Sequence, residues 1–188
     1  MKIKFLSLII IAATLFSCKT PEPRKPVSRS SGSFIKESIK RNQKLVAKEE
    51  KRISEIIQKD SIHNYISSTN GFWYYYNTKI EKDTLTPDFG DLVNFEYDIS
   101  TLEGTPIYSR KEMGGREYKI DQENVFNGLR QGLKLMKEGE TVTFLFPSHK
   151  AFGYYGDTQK IGRNVPIRST ITLNKITESD SLTKNNLN

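Results

Sequence analysis

The stretch that decides the fold is VFNGLRQGLKLMKEGETVTFLF at positions 125–146. Its first half places large apolar side chains at helical spacing: Val125, Phe126, Leu129, Leu133 and Met136. This spacing predicts one short helix with a buried face. Gly139 interrupts the pattern, after which Val142, Phe144 and Phe146 recur at every second position. Such alternation is typical of a β-strand with one buried side, so the stretch predicts a short helix followed by a strand.

Other segments on both sides of this stretch also indicate strands. Residues 72–76 form an aromatic run, residues 92–99 alternate, and residues 169–176 alternate with Ile171 and Leu173 on one side. Strands that outnumber helices in this way favour an α+β domain rather than a parallel α/β fold. We therefore expect residues 71–177 to form an antiparallel sheet with the short helix packed on it.

The composition excludes several classes of protein. The 188 residues are 36% hydrophobic and 27% charged, which is typical of a globular chain. Most of the net charge of +7 lies in residues 1–33, so the remainder gives no indication of nucleic-acid binding. The single cysteine excludes an intramolecular disulfide and a multi-cysteine zinc site. His63 and His149 belong to no ligand or triad pattern, so we expect neither a metal nor a cofactor.

The N-terminal residues predict an export signal. Residues 1–17 begin with Lys2 and Lys4 and continue as an apolar run, the layout of a secretory signal peptide. The following LFSC at 15–18 resembles the lipobox of bacterial lipoproteins. That resemblance implies cleavage before Cys18 and acylation of its sulfur and amine, which would hold the protein in a lipid bilayer. We expect a lipid-anchored protein that faces the periplasm.

Three segments flank the predicted sheet domain. Residues 18–33, rich in proline, serine and basic residues, are predicted to be a flexible tether. Residues 34–67 are predicted to be a helical stalk, and residues 178–188 a disordered tail. The apolar stripe of the stalk is formed by Ile35, Ile39, Val46, Ile53 and Ile57.

The stalk could pack in two ways. Asn42 and Glu49 stand where the seam of a coiled coil needs apolar side chains, which argues against a dimer through the stalk but leaves it open as an alternative. We favour a solvated helix that docks on the domain only through its last turns. The docking residues would be Ile56, Ile57, Ile62, Tyr65 and Ile66.

The sheet domain carries a series of motifs in a fixed order and spacing. They are GDLVNFEY (90–97), LEG (102–104), VFNGL (125–129), GL (132–133), MKEGE (136–140), FP (146–147), AFG (151–153) and VPIRSTI (165–171). Together they resemble the FKBP-type peptidyl-prolyl isomerases. The resemblance implies a half-barrel of five or six antiparallel strands wrapped around the short helix. It also implies that the substrates are X-Pro peptide bonds of proline-containing polypeptides.

The resemblance further implies a set of pocket residues. Tyr97, Phe126 and Phe152 would be catalytic, and the backbone N–H of Phe126 would bind the substrate carbonyl. The substrate-binding residues would be Ile107, Tyr108, Tyr118, Val125, Leu129, Val165 and Leu173. An apolar pocket of this kind favours a twisted peptide bond over the more polar planar one, without a nucleophile.

Some pocket positions depart from the family pattern. Tyr108 replaces the family's aspartate, and Phe152 replaces the tyrosine whose hydroxyl binds the substrate carbonyl. Leu129 replaces a tryptophan, and Arg116 and Leu173 replace aromatic residues. One hydrogen bond is worth only about 0.5–1.5 kcal/mol, so these changes predict a slow or selective isomerase. The alternative is a catalytically weak module that binds a partner protein through the same groove or through residues 153–165.

The order of lipobox, helical stalk and sheet domain resembles the FKBP-type lipoproteins associated with gliding motility in the Bacteroidetes. This resemblance implies an extracytoplasmic isomerase that acts on envelope proteins and supports assembly of the gliding machinery. Its partners would be proline-containing polypeptides and the lipid bilayer, and we expect no nucleic-acid partner.

Overall fold

The computed structural model describes residues 31–82 and 85–179. The predicted signal peptide, Cys18, most of the tether and most of the C-terminal tail lie outside these residues. Within them, no helix combines the length and the hydropathy that a membrane span requires. The chain falls into two units that divide between Ser38 and Ile39, and the contacts reported below lie within the second.

The first element is helix α1, Ser31–Lys59. It ends earlier than the predicted boundary at residue 67, because the side chain of Asp60 competes for the backbone that would continue it. Oδ1 of Asp60 accepts a hydrogen bond from the backbone N–H of Ile62 (3.0 Å), and Oδ2 lies 2.8 Å from Nδ1 of His63. The chain therefore turns after Lys59, and the next regular element is a strand that begins at Ile66.

The described residues form one antiparallel sheet. Its strands are β1 (Ile66–Ser67), β2 (Trp73–Thr78), β3 (Leu92–Tyr97), β4 (Ile99–Ser100), β5 (Pro106–Tyr108), β6 (Arg116–Lys119), β7 (Thr141–Phe146) and β8 (Ile167–Thr177). Six of them run in the order β1-β2-β7-β8-β3-β6, while β4 pairs with β5 and β8. The predicted α+β class is confirmed, with two short strands beyond the expected six.

Two short α-helices and one 3-10 helix connect the strands. They are α2 (Arg110–Met113), α3 (Asn127–Leu133) and the 3-10 helix Ser148–Lys150. Helix α3 lies inside the predicted helical stretch and buries Leu129 and Leu133 against the sheet. Phe144 and Phe146 are fully buried in the same core, as their alternation predicts.

Helix α3 approaches strand β7 closely at Gly128. A Cβ at this position would lie 2.5 Å from Cδ1 of Phe146 and 2.8 Å from the carbonyl oxygen of Lys150. Only glycine fits such an approach without displacing its neighbours. The close contact sets the distance between the start of helix α3 and the turn that follows β7.

Helix α1 docks on the sheet domain earlier along its length than the sequence predicted. Ile53 is fully buried against Leu102 and Leu145, in a cluster separate from the main core. The predicted docking residues Ile56, Ile57 and Tyr65 pack around that cluster, but Ile62 and Ile66 are exposed. These two assignments were wrong because the chain is no longer helical beyond Lys59, so helical spacing no longer decides which side chains face the cluster.

Candidate functional site

All the pocket residues predicted from the sequence belong to the main apolar cluster of the sheet domain. Four of them are buried in it: Tyr97, Tyr118, Leu129 and Leu173. The others are half-buried and pack against it: Ile107, Tyr108, Val125, Phe126, Phe152 and Val165. We call the half-buried set the pocket wall. The structure thus brings the predicted residues together, while their individual roles remain predictions.

The centre of the pocket wall is a pair of phenylalanine rings. Phe126 is the N-cap residue of helix α3, with extended backbone (φ −64°, ψ 146°), and its carbonyl accepts the N–H of Arg130 at 3.2 Å. Its ring centroid lies 5.1 Å from that of Phe152 and 5.6 Å from that of Phe146. Half-buried aromatic faces at these separations present an apolar surface on which a proline ring can pack.

Tyr97 lies at the end of strand β3 and is almost fully buried. Burial raises the pKa of its phenol, and the nearby Arg116 offsets part of that rise. The guanidinium carbon of Arg116 is 5.9 Å from the ring centroid of Tyr97. Tyr97 therefore stays protonated at neutral pH, as a hydroxyl that can donate one hydrogen bond.

The hydroxyl of Tyr108, in the pocket wall, has a partner that the sequence did not reveal. The hydroxyl of Tyr108 donates a hydrogen bond to Oδ2 of Asp157, in the segment 153–165. Oδ1 of Asp157 accepts the backbone N–H groups of Gln159 (2.9 Å) and Ile161 (2.8 Å). The resemblance predicts that Tyr108 replaces an aspartate of the family; in this structure the nearby carboxylate is that of Asp157, and Tyr108 is its hydrogen-bond donor. Asp157 thus orders the segment and ties it to strand β5.

The charge of Asp157 is stabilised by these same bonds. Burial raises the pKa of Asp157, but the hydrogen bonds from Tyr108 and from the backbone N–H groups outweigh it, so the pKa lies below its ordinary value. The bond to Asp157 and burial raise the pKa of Tyr108. Nearby, Nζ of Lys160 forms an ion pair with Glu112 and lies 4.6 Å from the ring centroid of Tyr108. Two polar contacts therefore hold the segment 153–165 beside the pocket wall.

We expect Tyr108→Phe to lower the Tm by a few degrees at pH 7 and by much less at an acid pH where Asp157 is protonated. A carboxyl whose pKa is lowered by folding contributes stability that is fully present above its unfolded pKa of about 4, and that is lost as the pH falls through the folded value. Thermal melts at both pH values measure the difference. Tyr155→Phe is the control, because Tyr155 is 81% exposed and should show no effect at either pH.

A polar groove on the other side of the sheet is not the predicted pocket. Its volume is about 460 Å3, and its walls include Arg110, Thr143, Arg168 and Thr170. Residues of β7 and β8 alternate between the two faces of the sheet, so this groove faces away from Phe144 and Leu173. Only Tyr108 of the pocket wall also contributes to it.

Residues 84–174 match the family model described as FKBP-type peptidyl-prolyl cis-trans isomerase. Over these residues the sheet domain is similar to the FKBP family, and we call it the FKBP domain. The matched residues of this FKBP domain include strands β3 to β7, helix α3 and most of β8, together with every residue of the pocket wall.

Curated relatives agree with this assignment. The chain is 30% identical over 131 residues to the probable FKBP-type peptidyl-prolyl cis-trans isomerase FkpA of Neisseria meningitidis, a match that covers 69% of the chain and 47% of the relative. It is 35% identical over 72 residues to the peptidyl-prolyl cis-trans isomerase FKBP10 of Bos taurus, covering 38% of the chain and 12% of that protein. The chain spans less than half the length of these relatives.

Solved structures show the same fold. A peptidyl-prolyl cis-trans isomerase of Pseudomonas syringae matches with a TM-score of 0.58 at 18% identity, over 72% of this chain and 96% of that one. FkpA of Escherichia coli matches with a TM-score of 0.57 at 20% identity, over 92% of this chain and 82% of that one. At these identities the likeness establishes the fold alone.

Proposed function

We propose that the FKBP domain catalyses cis-trans isomerisation of X-Pro peptide bonds in polypeptides. The observation that supports the proposal is the pocket wall: the residues to which the resemblance assigns substrate binding come together in one apolar cluster, with the rings of Phe126 and Phe152 in contact. The family match over residues 84–174 supports the same activity.

The chemistry requires only the groups that this site holds. Rotation about a peptide bond meets a barrier of about 18–20 kcal/mol because the amide loses its resonance. The twisted amide is less polar than the planar one, so an apolar wall favours it over the ground state. In this chain the proline ring would pack on Phe126 and Phe152, and the backbone N–H of Phe126 would donate to the preceding carbonyl. The hydroxyl of Tyr97, in the same apolar cluster, supplies a further donor.

A protease-coupled assay with an X-Pro peptide tests the activity directly. The protease cleaves only the trans peptide, so the slow phase of cleavage reports isomerisation. The purified protein is expected to accelerate this phase in proportion to its concentration. A rate equal to the uncatalysed background in a folded sample would contradict the enzymatic proposal.

The second candidate function is a module that binds a partner protein with little turnover. Phe152 lacks the hydroxyl that the family places there, which favours this reading. The segment 153–165 also exposes two aromatic side chains, Tyr154 (58%) and Tyr155 (81%), beside the pocket wall. A proline-containing peptide that binds the protein without any acceleration of the slow phase would support this second function.

We expect Phe152→Tyr to raise kcat/KM on an X-Pro peptide by about three- to tenfold. The substitution restores one hydroxyl at the family's position, and one hydrogen bond corresponds to that change in rate. The protease-coupled assay measures it. Tyr154→Phe removes one hydroxyl from the exposed neighbour and should leave the rate unchanged. No gain in a well-folded Phe152→Tyr variant would indicate a pocket adapted to another ligand.

We further propose that Cys18 is acylated and that the domain acts outside the cytoplasm on envelope proteins. The lipobox-like LFSC at 15–18 supports this location. The order of lipobox, helix and FKBP domain supports a role in assembly of the gliding-motility machinery. In detergent phase partition, the native chain should enter the detergent phase and Cys18→Ala the aqueous phase. An unchanged partition would exclude the anchor.

A further inference from the structure

A buried carboxylate of helix α1 holds the 3-10 helix that follows strand β7. Glu49 is only 5% exposed. Its Oε2 accepts the backbone N–H of Ser148 at 2.8 Å, and its Oε1 accepts the Ser148 hydroxyl at 2.7 Å. Both oxygens of the carboxylate are thus bound to one residue, at the first position of the 3-10 helix Ser148–Lys150.

Ser148 in turn holds the backbone on both sides of Phe152. Its carbonyl oxygen accepts the N–H of Ala151 at 3.0 Å and that of Gly153 at 2.9 Å. The carbonyl of Gly153 accepts the N–H of Asn164 at 2.8 Å, which closes the segment 153–165 behind the turn. Phe152 therefore projects from a turn whose two flanking residues are hydrogen-bonded to the residue that Glu49 binds.

The same turn contacts the helix that carries Phe126. The carbonyl oxygen of Lys150 lies against Gly128, where it leaves no room for a Cβ. The spacing of the two rings, 5.1 Å between the centroids of Phe126 and Phe152, thus depends on where the 3-10 helix sits. A shift of Ser148 would move one ring relative to the other.

Docking of helix α1 has other contacts that do not involve Glu49. Ile53 is buried against Leu102 and Leu145, and Nη2 of Arg52 lies 2.6 Å from Oε1 of Glu103. Burying a carboxylate costs free energy unless it is fully hydrogen-bonded, and a charged acceptor binds N–H and O–H donors more strongly than a neutral one. The bonds of Glu49 therefore fix the turn at Ser148 against helix α1, in addition to the contacts that dock the helix through Ile53 and Arg52.

We propose that Glu49 is a positioning residue of the pocket, which acts through Ser148 to set the place of Phe152 opposite Phe126. Helix α1 is then a functional part of the FKBP domain and not only a spacer. This inference rests on the proposed isomerase function for its rate measurement, but its structural part can be measured without turnover.

The test compares Glu49→Ala with Glu49→Gln in the full chain. Glu49→Ala removes both acceptors and is expected to lower kcat/KM on an X-Pro peptide about tenfold. Glu49→Gln should recover most of that loss, because its Oε1 can accept the N–H of Ser148 and its Nε2 can donate to the hydroxyl. Glu50→Ala, an exposed neighbour on the same helix, and Arg52→Ala, which removes only the ion pair to Glu103, should leave kcat/KM unchanged.

Two spectroscopic readouts separate positioning from a general loss of structure. Trp73 packs around the cluster that holds Ile53, so its fluorescence reports whether helix α1 is docked, and it should be unchanged in Glu49→Ala. The NMR resonances of the Phe152 ring and of the Gly153 amide should shift in Glu49→Ala and return toward native values in Glu49→Gln.

The outcomes distinguish this inference from the proposed function. If the native chain shows no turnover, the isomerase proposal fails, and the resonances of Phe152 and Gly153 alone decide the role of Glu49. Unchanged resonances, or a native kcat/KM in Glu49→Ala, would overturn the inference. If Glu49→Ala fails to fold, Ser148→Ala takes its place, because it removes only the hydrogen bond from the Ser148 hydroxyl to Glu49. We expect kcat/KM of Ser148→Ala to fall about threefold. An unchanged kcat/KM in this variant would also overturn the inference.

Discussion

Ile53→Ala is expected to lower the free energy of unfolding by about 2–5 kcal/mol, the range for truncating a buried isoleucine. The side chain is 0% exposed and fills the space between Leu102 and Leu145. Its loss leaves a cavity between helix α1 and the sheet, so Trp73 should also become more accessible to water. Urea unfolding followed by circular dichroism measures the stability, and Trp73 fluorescence measures the docking.

The matched control for this variant is Ile39→Ala. Ile39 lies on the same helix but is 51% exposed, and we expect a change within about 0.5 kcal/mol. If both variants behaved alike, helix α1 would be a solvated stalk, as the sequence pattern first indicated. A large effect at Ile53 alone would establish that the helix is part of the folded unit.

Phe126→Ala is expected to lower kcat/KM on an X-Pro peptide by roughly ten- to 150-fold. Burial of a large apolar side chain is worth about 1.5–3 kcal/mol, which converts to that range of rates when the contact is made with the substrate. The ring also packs on Phe146 and Phe152, so the variant loses some stability. The assay is therefore run well below the Tm of the variant.

Phe89→Ala provides the matched control for the pocket variant. Phe89 belongs to the same domain but is 63% exposed and lies outside the pocket wall. Its truncation should leave kcat/KM unchanged. A native rate in a well-folded Phe126→Ala protein would mean that the proline ring packs elsewhere, and it would contradict the assignment of the pocket wall.

Local periodicity was sufficient to predict which side chains of helix α3 and strand β7 face the core. Leu129 and Leu133 on helix α3, and Phe144 and Phe146 on β7, are buried where their spacing placed them. Each of these residues faces the core because of its position within one helix or one strand. The motif order then predicted the antiparallel sheet around the short helix and the residues of the pocket wall.

Contacts between distant residues could not be predicted in the same way. Glu49 breaks the apolar stripe of helix α1 and argues from the sequence only against a coiled-coil seam, because its partner Ser148 is 99 positions away. The bond between Tyr108 and Asp157 is likewise invisible to periodicity, because it depends on where the segment 153–165 returns to the sheet. The early end of helix α1 has a local cause, the carboxylate of Asp60, which accepts the backbone N–H of Ile62. The Asp-Ser pair at 60–61 is a sequence signal for such a turn.

The long separation between Glu49 and Ser148 also bears on how the chain matures. Synthesis proceeds at about 5–20 residues per second, so the docking surface for helix α1 emerges roughly 5–20 s after the helix itself. During that interval Leu145 is missing from the surface that covers Ile53, and for about the first half of it Leu102 is missing as well, since both follow Ile53 in the sequence. Formation of strand β7, which carries Leu145, therefore withdraws the apolar face of the helix from chaperones and proteases. A chain interrupted before that point keeps the face exposed as a target for quality control.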